Sequence, residues 1–132
     1  MARTERHLLG RLRKIALALP EASERLSHGT PAWFAGDKRQ FASFANHHHH
    51  DEHIAIWLAA PLGVQEALIE DNPERFFRPP YVGVRGWVGV RLDLPEDPDW
   101  VEVAELIEDA YRLVAPRKLV AALHARSYLH SE

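Results

Sequence analysis

Apolar residues recur at helical spacing near both ends of the chain and at strand-like spacing between them. Between residues 8 and 19 they recur every three or four positions, which predicts an amphipathic first helix that ends at Pro20. The segment 61–73 repeats this pattern between two prolines and predicts a second helix. A third helix is predicted from about residue 98 to 115, and "RKLVAAL" after it adds one or two turns. The apolar stripe of this third helix consists of Trp100, Val103, Ala104, Ile107, Tyr111 and Val114.

Short aromatic and β-branched runs separated by turn residues predict the strands. Four of them, "ERLS", "PAWFA", "QFASFA" and "HIAIWLAA", follow the first helix. A fifth, "GWVGVRLD", alternates apolar residues with others and predicts a strand with one face on the core. "AGDK" predicts a hairpin turn in which Gly36 supplies the permissive backbone.

The order of these elements predicts the fold class. Helix, about four strands, helix, strand and helix, without regular βαβ alternation, indicate an α+β fold in which helices cover one face of an antiparallel β-sheet. The length of 132 residues and 46% hydrophobic content fit one globular domain over residues 1–132. We expect the other face of the sheet to be open and to carry Trp87, together with Trp33 or Trp57.

Composition removes several classes of function. The chain has no cysteine, which excludes disulfides, thiolate nucleophiles and zinc sites built on cysteine. Arginines interrupt the apolar residues at the N-terminus and no cleavage site follows, so a targeting signal is not predicted and a cytoplasmic location is expected. No apolar run reaches the roughly 18 residues that a membrane span needs.

Charge is unevenly distributed along the chain. The net charge of −3 argues against a protein that coats nucleic acid through bulk charge. Residues 1–14 and 112–126 are nevertheless basic, whereas residues 93–109 hold eight acids and no base. This asymmetry has two interpretations. It could give an acidic protein one positive face, or the charged residues could lie on solvent-exposed helix faces and complement the helix dipoles.

The most unusual motif is "NHHHHDEH" at residues 46–53, five histidines and two carboxylates in eight positions. Alternate side chains from His47 to His53 could chelate a metal ion, because an extended backbone places them on the same side. A selective metal site also needs rigid ligands whose orientation is fixed by hydrogen bonds from surrounding residues, and a polar loop between two strands does not supply these by itself. We therefore predict a hairpin loop without a resident metal, and no other cofactor.

No local catalytic motif is present, so an enzyme is not predicted. The glycines of "GVRGWVGV" enter a strand instead of leading into a helix, which excludes a dinucleotide-binding fingerprint. His28 in "SHGTPAWF" has two interpretations. We favour a hydrogen-bonded structural histidine, and the alternative is a polar group in a ligand cleft.

Several of these motifs resemble one family of small bacterial proteins. "HGTPAWFAGDKRQFASF", "HIAIWLAAP", "GWVGVRLD" and "ELIEDAYRLVAPRKLVAAL" together are similar to the MmcQ/YjbR family, and the resemblance spans residues 8–123. It implies a CyaY-like, or frataxin-like, α+β sandwich with a double-wing arrangement, for which DNA binding has been proposed. It implies no catalytic residue.

Two functions remain open at the level of sequence. The first is a DNA-binding module that contacts phosphates weakly, and it leads slightly because the resemblance implies it. Its candidate contacts are Lys38, Arg39, Arg85, Arg117 and Lys118. The second is a non-enzymatic domain that uses the aromatic sheet face to bind a small ligand or a protein partner, with metal binding by the histidine loop as a variant.

Overall fold

The computed structural model describes residues 3–46 and 53–130. In chain order, its elements are helix α1 (Arg3–Ala16), strands β1 (Ala22–Ser27), β2 (Thr30–Ala35), β3 (Arg39–Asn46) and β4 (Ile54–Leu58), helix α2 (Val64–Asp71), strand β5 (Phe76–Phe77), a 3-10 helix (Val82–Arg85), strand β6 (Val88–Arg91), and helices α3 (Trp100–Val114) and α4 (Arg117–His130).

The strands form one antiparallel sheet in the order β1-β2-β3-β4-β6-β5. With the helices it confirms the predicted α+β class. Strand β5 was not predicted, because two residues are too few to show a periodicity. The strands on either side of the histidine run, β3 and β4, pair antiparallel as predicted, but residues 47–52 lie outside the described part of the chain.

The core lies between the helices and one face of this sheet. Trp33, Ala42, Leu58 and Val88 are register partners across β2, β3, β4 and β6, and all four are fully buried. Helix α3 packs across β2, β3 and β4. Of the two tryptophans proposed as alternatives for the open face beside Trp87, Trp33 is therefore excluded, because its alternation places it in the row that the helices cover.

The predicted stripe of α3 is confirmed. Val103, Ile107 and Tyr111 are buried, and Trp100 and Val114 pack against the edge of the core. The Tyr111 ring meets Phe41 edge to face at 5.5 Å between centroids, and its hydroxyl donates to the Pro20 carbonyl at 2.7 Å. Burial raises the pKa of Tyr111, which further favours the protonated phenol that donates this hydrogen bond.

Helix α4 is longer than its apolar pattern predicts, since it runs to His130. Leu119 and Leu123 bury its first turns against the core, and the Arg126 guanidinium donates to the Ala18 carbonyl after α1. Among the helices that the structure describes, none combines the length and apolar character that crossing a membrane requires.

Both tight turns between the first three strands use backbone with positive φ. Gly36 has a φ of 67° in the predicted "AGDK" turn. The turn from β1 to β2 consists of His28 and Gly29, with φ values of 52° and 83°, which is the geometry of a type I′ hairpin. His28 is exposed in this turn. The favoured interpretation of it as a structural histidine is therefore wrong.

Strand β3 carries one extra residue opposite β2. Trp33 pairs with Ala42, and Phe34 pairs with Gln40, so Phe41 has no partner of its own on β2. Such a bulge turns two consecutive side chains toward the same face. Phe41 and Ala42 are both buried under the helices. The extra residue shifts the in–out alternation of β3 by one position, so residues before Phe41 and residues after Ala42 follow opposite phases.

The packing of α3 gives the first testable prediction. Replacing Ile107 with alanine should lower the free energy of unfolding by about 2–5 kcal/mol, because it leaves a cavity in a core where Ile107 is fully buried. Leu113→Ala on the same helix removes a half-exposed side chain and should cost less than about 1 kcal/mol. Urea unfolding followed by circular dichroism measures both, and equal losses would contradict the assigned core face.

Candidate functional site

The face of the sheet opposite the helices carries a cleft of about 620 Å³. Its floor crosses two adjacent strands at the register partners Ser43 and Trp57, and Gly89 is the next residue of this row. Its aromatic lining consists of Phe44, Trp57, Tyr81 and Trp87, and its polar and charged lining consists of Ser27, His28, Thr30, Gln40, Ser43 and Arg85. The prediction of an open, aromatic face thus holds for Trp57 and Trp87.

Small side chains make the floor concave. Ser43 and Ala45 lie on the open face of β3 beside Trp57, whereas the large side chains of the same strand face the helices. On β6, a Cβ at Gly89 would overlap the ring of Phe77 from β5, which covers this glycine. The cleft is therefore open above Ser43 and Trp57 and closed beyond Gly89.

One wall of the cleft begins with a strained tight turn. Tyr81 has φ 64° and ψ −65°, and the amide of Val82 donates to the carbonyl of Pro80 at 2.7 Å. This is the γ-turn with positive φ, which is rare and strained for a residue with a side chain. It leaves Tyr81 three-quarters exposed at the cleft.

A buried glutamine on α2 holds the same wall in place. The Nε2 atom of Gln65 donates to the carbonyl of Gly83 at 2.9 Å and to that of Trp87 at 2.5 Å. Gln65 is only 3% exposed, so water cannot replace these two hydrogen bonds easily. The 3-10 helix, which contains Gly83 and Arg85 and precedes Trp87, is thereby fixed to α2.

The cleft contains one cationic side chain and no carboxylate among the lining residues that the structure describes. The Arg85 guanidinium lies 5.8 Å from the centroid of the Trp87 ring, within reach of a cation–π interaction. His28 lines the cleft from the β1–β2 turn, as its second interpretation predicted. The described lining of the cleft therefore carries a positive charge from Arg85, although the chain as a whole is acidic.

Two of the segments predicted to contact DNA meet on the other side of the sheet. Arg39 follows the β2–β3 turn, and its Nη1 donates to the carbonyl of Val114 at 3.3 Å. Val114 ends α3 three residues before Arg117, so the hairpin with Lys38 approaches the junction with Arg117 and Lys118. All four basic side chains are exposed. Arg85 is separate from them, because it lies at the cleft on the open face.

Acidic residues gather at the opposite end of α3. The pKa of Glu102 in the first turn is raised. The larger cause is partial burial, and the smaller one is repulsion from the nearby carboxylates of Asp99, Asp71 and Glu105. The helix has 15 residues, so about 20 Å separate this end from the basic one. The charge asymmetry of the sequence therefore becomes a separation along α3 that also matches the helix dipole.

The metal hypothesis cannot be placed on the histidine run, since residues 47–52 lie outside the described chain. His53, just after them, has its Nδ1 at 2.9 Å from Oδ1 of Asp93. Within residues 3–46 and 53–126, no three or more histidine and carboxylate side chains form a group that could hold a metal ion.

Comparison with known proteins places the chain in a family. A model of the YjbR family matches residues 17–113, which is well over half of the sequence. The chain belongs to the YjbR family. The matched region includes the whole sheet and the cleft, so the cleft of this YjbR protein is built from the family's own domain. No curated protein matches the chain.

A solved structure supports the fold of this YjbR domain. The crystal structure of the Deinococcus radiodurans protein DR2400, described as containing the domain DUF419, superposes with a TM-score of 0.67. The match covers 83% of this chain and 80% of that one at 20% identity. At that identity the likeness establishes a shared α+β architecture and nothing about function.

The sequence predicted the aromatic residues of the YjbR cleft more readily than its polar ones. Gln40, Ser43 and Gln65 were not identified as site residues. A signal for Ser43 exists, because Ser43 and Ala45 are both small and lie two positions apart in "FASFA", which places them on one face of a strand and predicts that this face is shallow. Gln65 gives no such signal, since its role depends on contacts with carbonyls 18 and 22 residues away.

The Gln65 anchor gives a second prediction for this YjbR domain. Gln65→Leu should lower stability by about 1–3 kcal/mol, because it removes a side-chain donor from the carbonyls of Gly83 and Trp87 at a buried position. The Gly83 carbonyl keeps the amide of Gly86 at 3.0 Å as its other donor. The exposed neighbour Glu66, changed to alanine, is the matched control and should have little effect. Thermal unfolding and the indole N–H resonance of Trp87 report the change. An unshifted Trp87 resonance in Gln65→Leu would contradict the anchor.

Proposed function

We propose that this YjbR domain binds a small ligand with a planar, apolar body in the cleft on the open face of its sheet. The observation that carries the proposal is a concavity of about 620 Å³ that combines Trp57, Tyr81 and Trp87 with a polar floor. Small-molecule sites are typically clefts of roughly 300–1,000 Å³ with aromatic walls and a few fixed polar groups.

The construction of the cleft favours binding because its parts are held before a ligand arrives. Gln65 fixes the 3-10 helix through two hydrogen bonds, and the Tyr81 γ-turn retains a strained conformation. Strain of this kind persists only where the surrounding structure imposes it, and it concentrates at functional sites. A pre-formed wall reduces the entropy that a ligand must lose on binding.

We propose binding in preference to catalysis. General acid–base catalysis needs a titratable group that a second side chain orients. His28 is the imidazole among the described lining residues, and it lies exposed on a two-residue turn without a hydrogen-bond partner among residues 3–46 and 53–126. No lining carboxylate in those ranges is available to orient it.

The ligand-binding proposal predicts that planar aromatic probes shift two particular tryptophan signals. The chain has four tryptophans, so an ¹H–¹⁵N spectrum resolves four indole N–H resonances that Trp→Phe variants assign. We expect 2-naphthamide to shift the resonances of Trp57 and Trp87 and to leave those of Trp33 and Trp100 unchanged. Trp57→Leu should weaken this binding roughly tenfold, since an aromatic contact contributes about 0.5–1.5 kcal/mol beyond its burial.

The matched control for this experiment is Trp100→Leu, which changes a tryptophan on α3 that packs under Arg11. It should leave the affinity for the probe unchanged. Equal shifts of all four indoles would indicate non-specific association. No shift at millimolar probe would remove the support for a ligand cleft.

A second candidate function rests on a different observation, the contact of Arg39 with the Val114 carbonyl. It brings the β2–β3 turn to the start of α4, where Arg117 and Lys118 are exposed. Lysines and arginines at turns and helix ends suit phosphates, which carry no sequence information. We propose that any DNA binding uses this cluster and is weak, independent of sequence and sensitive to salt.

The DNA proposal predicts a measurable salt dependence. Neutralising about four phosphates should give a slope of roughly −3 to −4 in a plot of log affinity against log salt, since each contributes about −0.9. Changing Lys38, Arg39, Arg117 and Lys118 to alanine should weaken binding to every duplex and flatten that slope. Fluorescence anisotropy at low salt measures both.

The control for the quadruple variant is Arg85→Ala, which removes a charge from the open face and should leave DNA binding intact. Loss of binding in Arg85→Ala would move the DNA contact to the cleft. Absence of binding by the wild-type protein would leave ligand binding as the remaining proposal.

A further inference from the structure

We infer that the ligand of the cleft is a small aromatic anion whose oxyanion group binds the Arg85 guanidinium. The inference rests on the proposed ligand-binding function and names the chemical class of the ligand. The first support is the charge of the lining. The chain has 19 acidic and 16 basic residues, yet the described lining of the cleft holds one arginine and no acid. A cationic or zwitterionic ligand would find no carboxylate there.

The second support is the availability of Arg85. Its side chain is exposed, and no carboxylate or carbonyl lies within hydrogen-bonding distance among the parts of the chain that are described. Arg25 and Arg91, which also lie on the open face, differ from Arg85 because their guanidinium groups already donate to backbone carbonyls. Arg25 donates to the carbonyl of Asp37, and Arg91 donates to that of Glu74. The five donors of the Arg85 guanidinium therefore remain available to a ligand.

The third support is the position of this guanidinium next to Trp87. The two groups are 5.8 Å apart, and both belong to the segment that Gln65 fixes on α2. A guanidinium held over an indole presents its edge to incoming oxyanions, and a carboxylate or phosphate can accept two of its N–H groups at once. A ligand that reaches Arg85 with its anionic group places its planar body toward Trp57.

The fourth support is the neutral polar character of the remaining lining. Thr30, Gln40 and Ser43 supply uncharged donors and acceptors on the strands, and Ser43 is 9% exposed. These groups suit hydroxyl, amide or ring-nitrogen substituents on the aromatic body. They add specificity without changing the sign of the charge that the cleft prefers.

Three probes with one naphthalene body separate this inference from the proposed function. They are 2-naphthoate, 2-naphthyl phosphate and neutral 2-naphthamide, titrated at low salt against the wild-type protein with the indole resonances of Trp57 and Trp87 as the readout. We expect at least one anion to bind about tenfold or more tightly than the amide, as a charge-assisted hydrogen bond implies. Added salt should reduce this preference.

The variant that tests the assignment is Arg85→Gln, which removes a charge from an exposed side chain and should not unfold the domain. It should abolish the preference for the anions and leave the affinity for 2-naphthamide nearly unchanged. Arg25→Gln is the matched control, because it removes another arginine that lies over an aromatic ring on the same face, 3.6 Å from the centroid of Phe34. It should retain the preference.

The outcomes separate the possible sources of the anion and the possible failures. Tighter binding of naphthoate indicates a carboxylate ligand, and tighter binding of naphthyl phosphate indicates a phosphorylated one. Either result supports the inference if Arg85→Gln removes the preference for the anion over the amide. Equal affinity of the three probes would overturn the inference and keep the ligand cleft. A preference that survives in Arg85→Gln would also overturn it. No shift with any probe would overturn both.

Discussion

The bulge at Phe41 determines which side chains reach each face of the sheet. In a regular strand, Gln40 and Ser43 would point to opposite faces, because they are three positions apart. The extra residue reverses the alternation, so both line the cleft while Phe41 and Ala42 both face the helices. Phe41 then meets Tyr111, which is the aromatic contact between α3 and the sheet. One inserted residue thus serves the core and the cleft together.

The same bulge marks the limit of what the sequence could predict. The stripe of α3, the "AGDK" turn and the α+β class follow from local periodicity and turn chemistry, and the structure confirms them. Periodicity applied to "QFASFAN" gives no indication that Phe41 is an extra residue. The choice between Trp33 and Trp57 for the open face stayed unresolved for a related reason, since an alternating strand does not reveal which of its faces the helices will cover until the neighbouring register is known.

The wall of the cleft was beyond prediction because its conformation depends on distant contacts. Residues 78–87 have no periodicity, and Tyr81 adopts a φ that its own side chain disfavours. Gln65 on α2 fixes the segment after Tyr81 through the backbone carbonyls of Gly83 and Trp87, groups that any sequence can supply. His28 shows the converse. Its place before Gly29 fits a two-residue hairpin turn, a local signal that outweighs the interpretation as a structural histidine.

The two proposed binding sites use opposite faces of one hairpin. Arg39 and Gln40 are consecutive in β3, and the first reaches the end of α3 while the second lines the cleft. Because a strand sends neighbouring side chains to opposite sides, the hairpin can present charge on the helix side and neutral polar groups on the open side. The cleft keeps its own positive charge in Arg85, which lies on a different element and is fixed by α2. Each site therefore has a separate source of charge, and a substitution in one can leave the other intact.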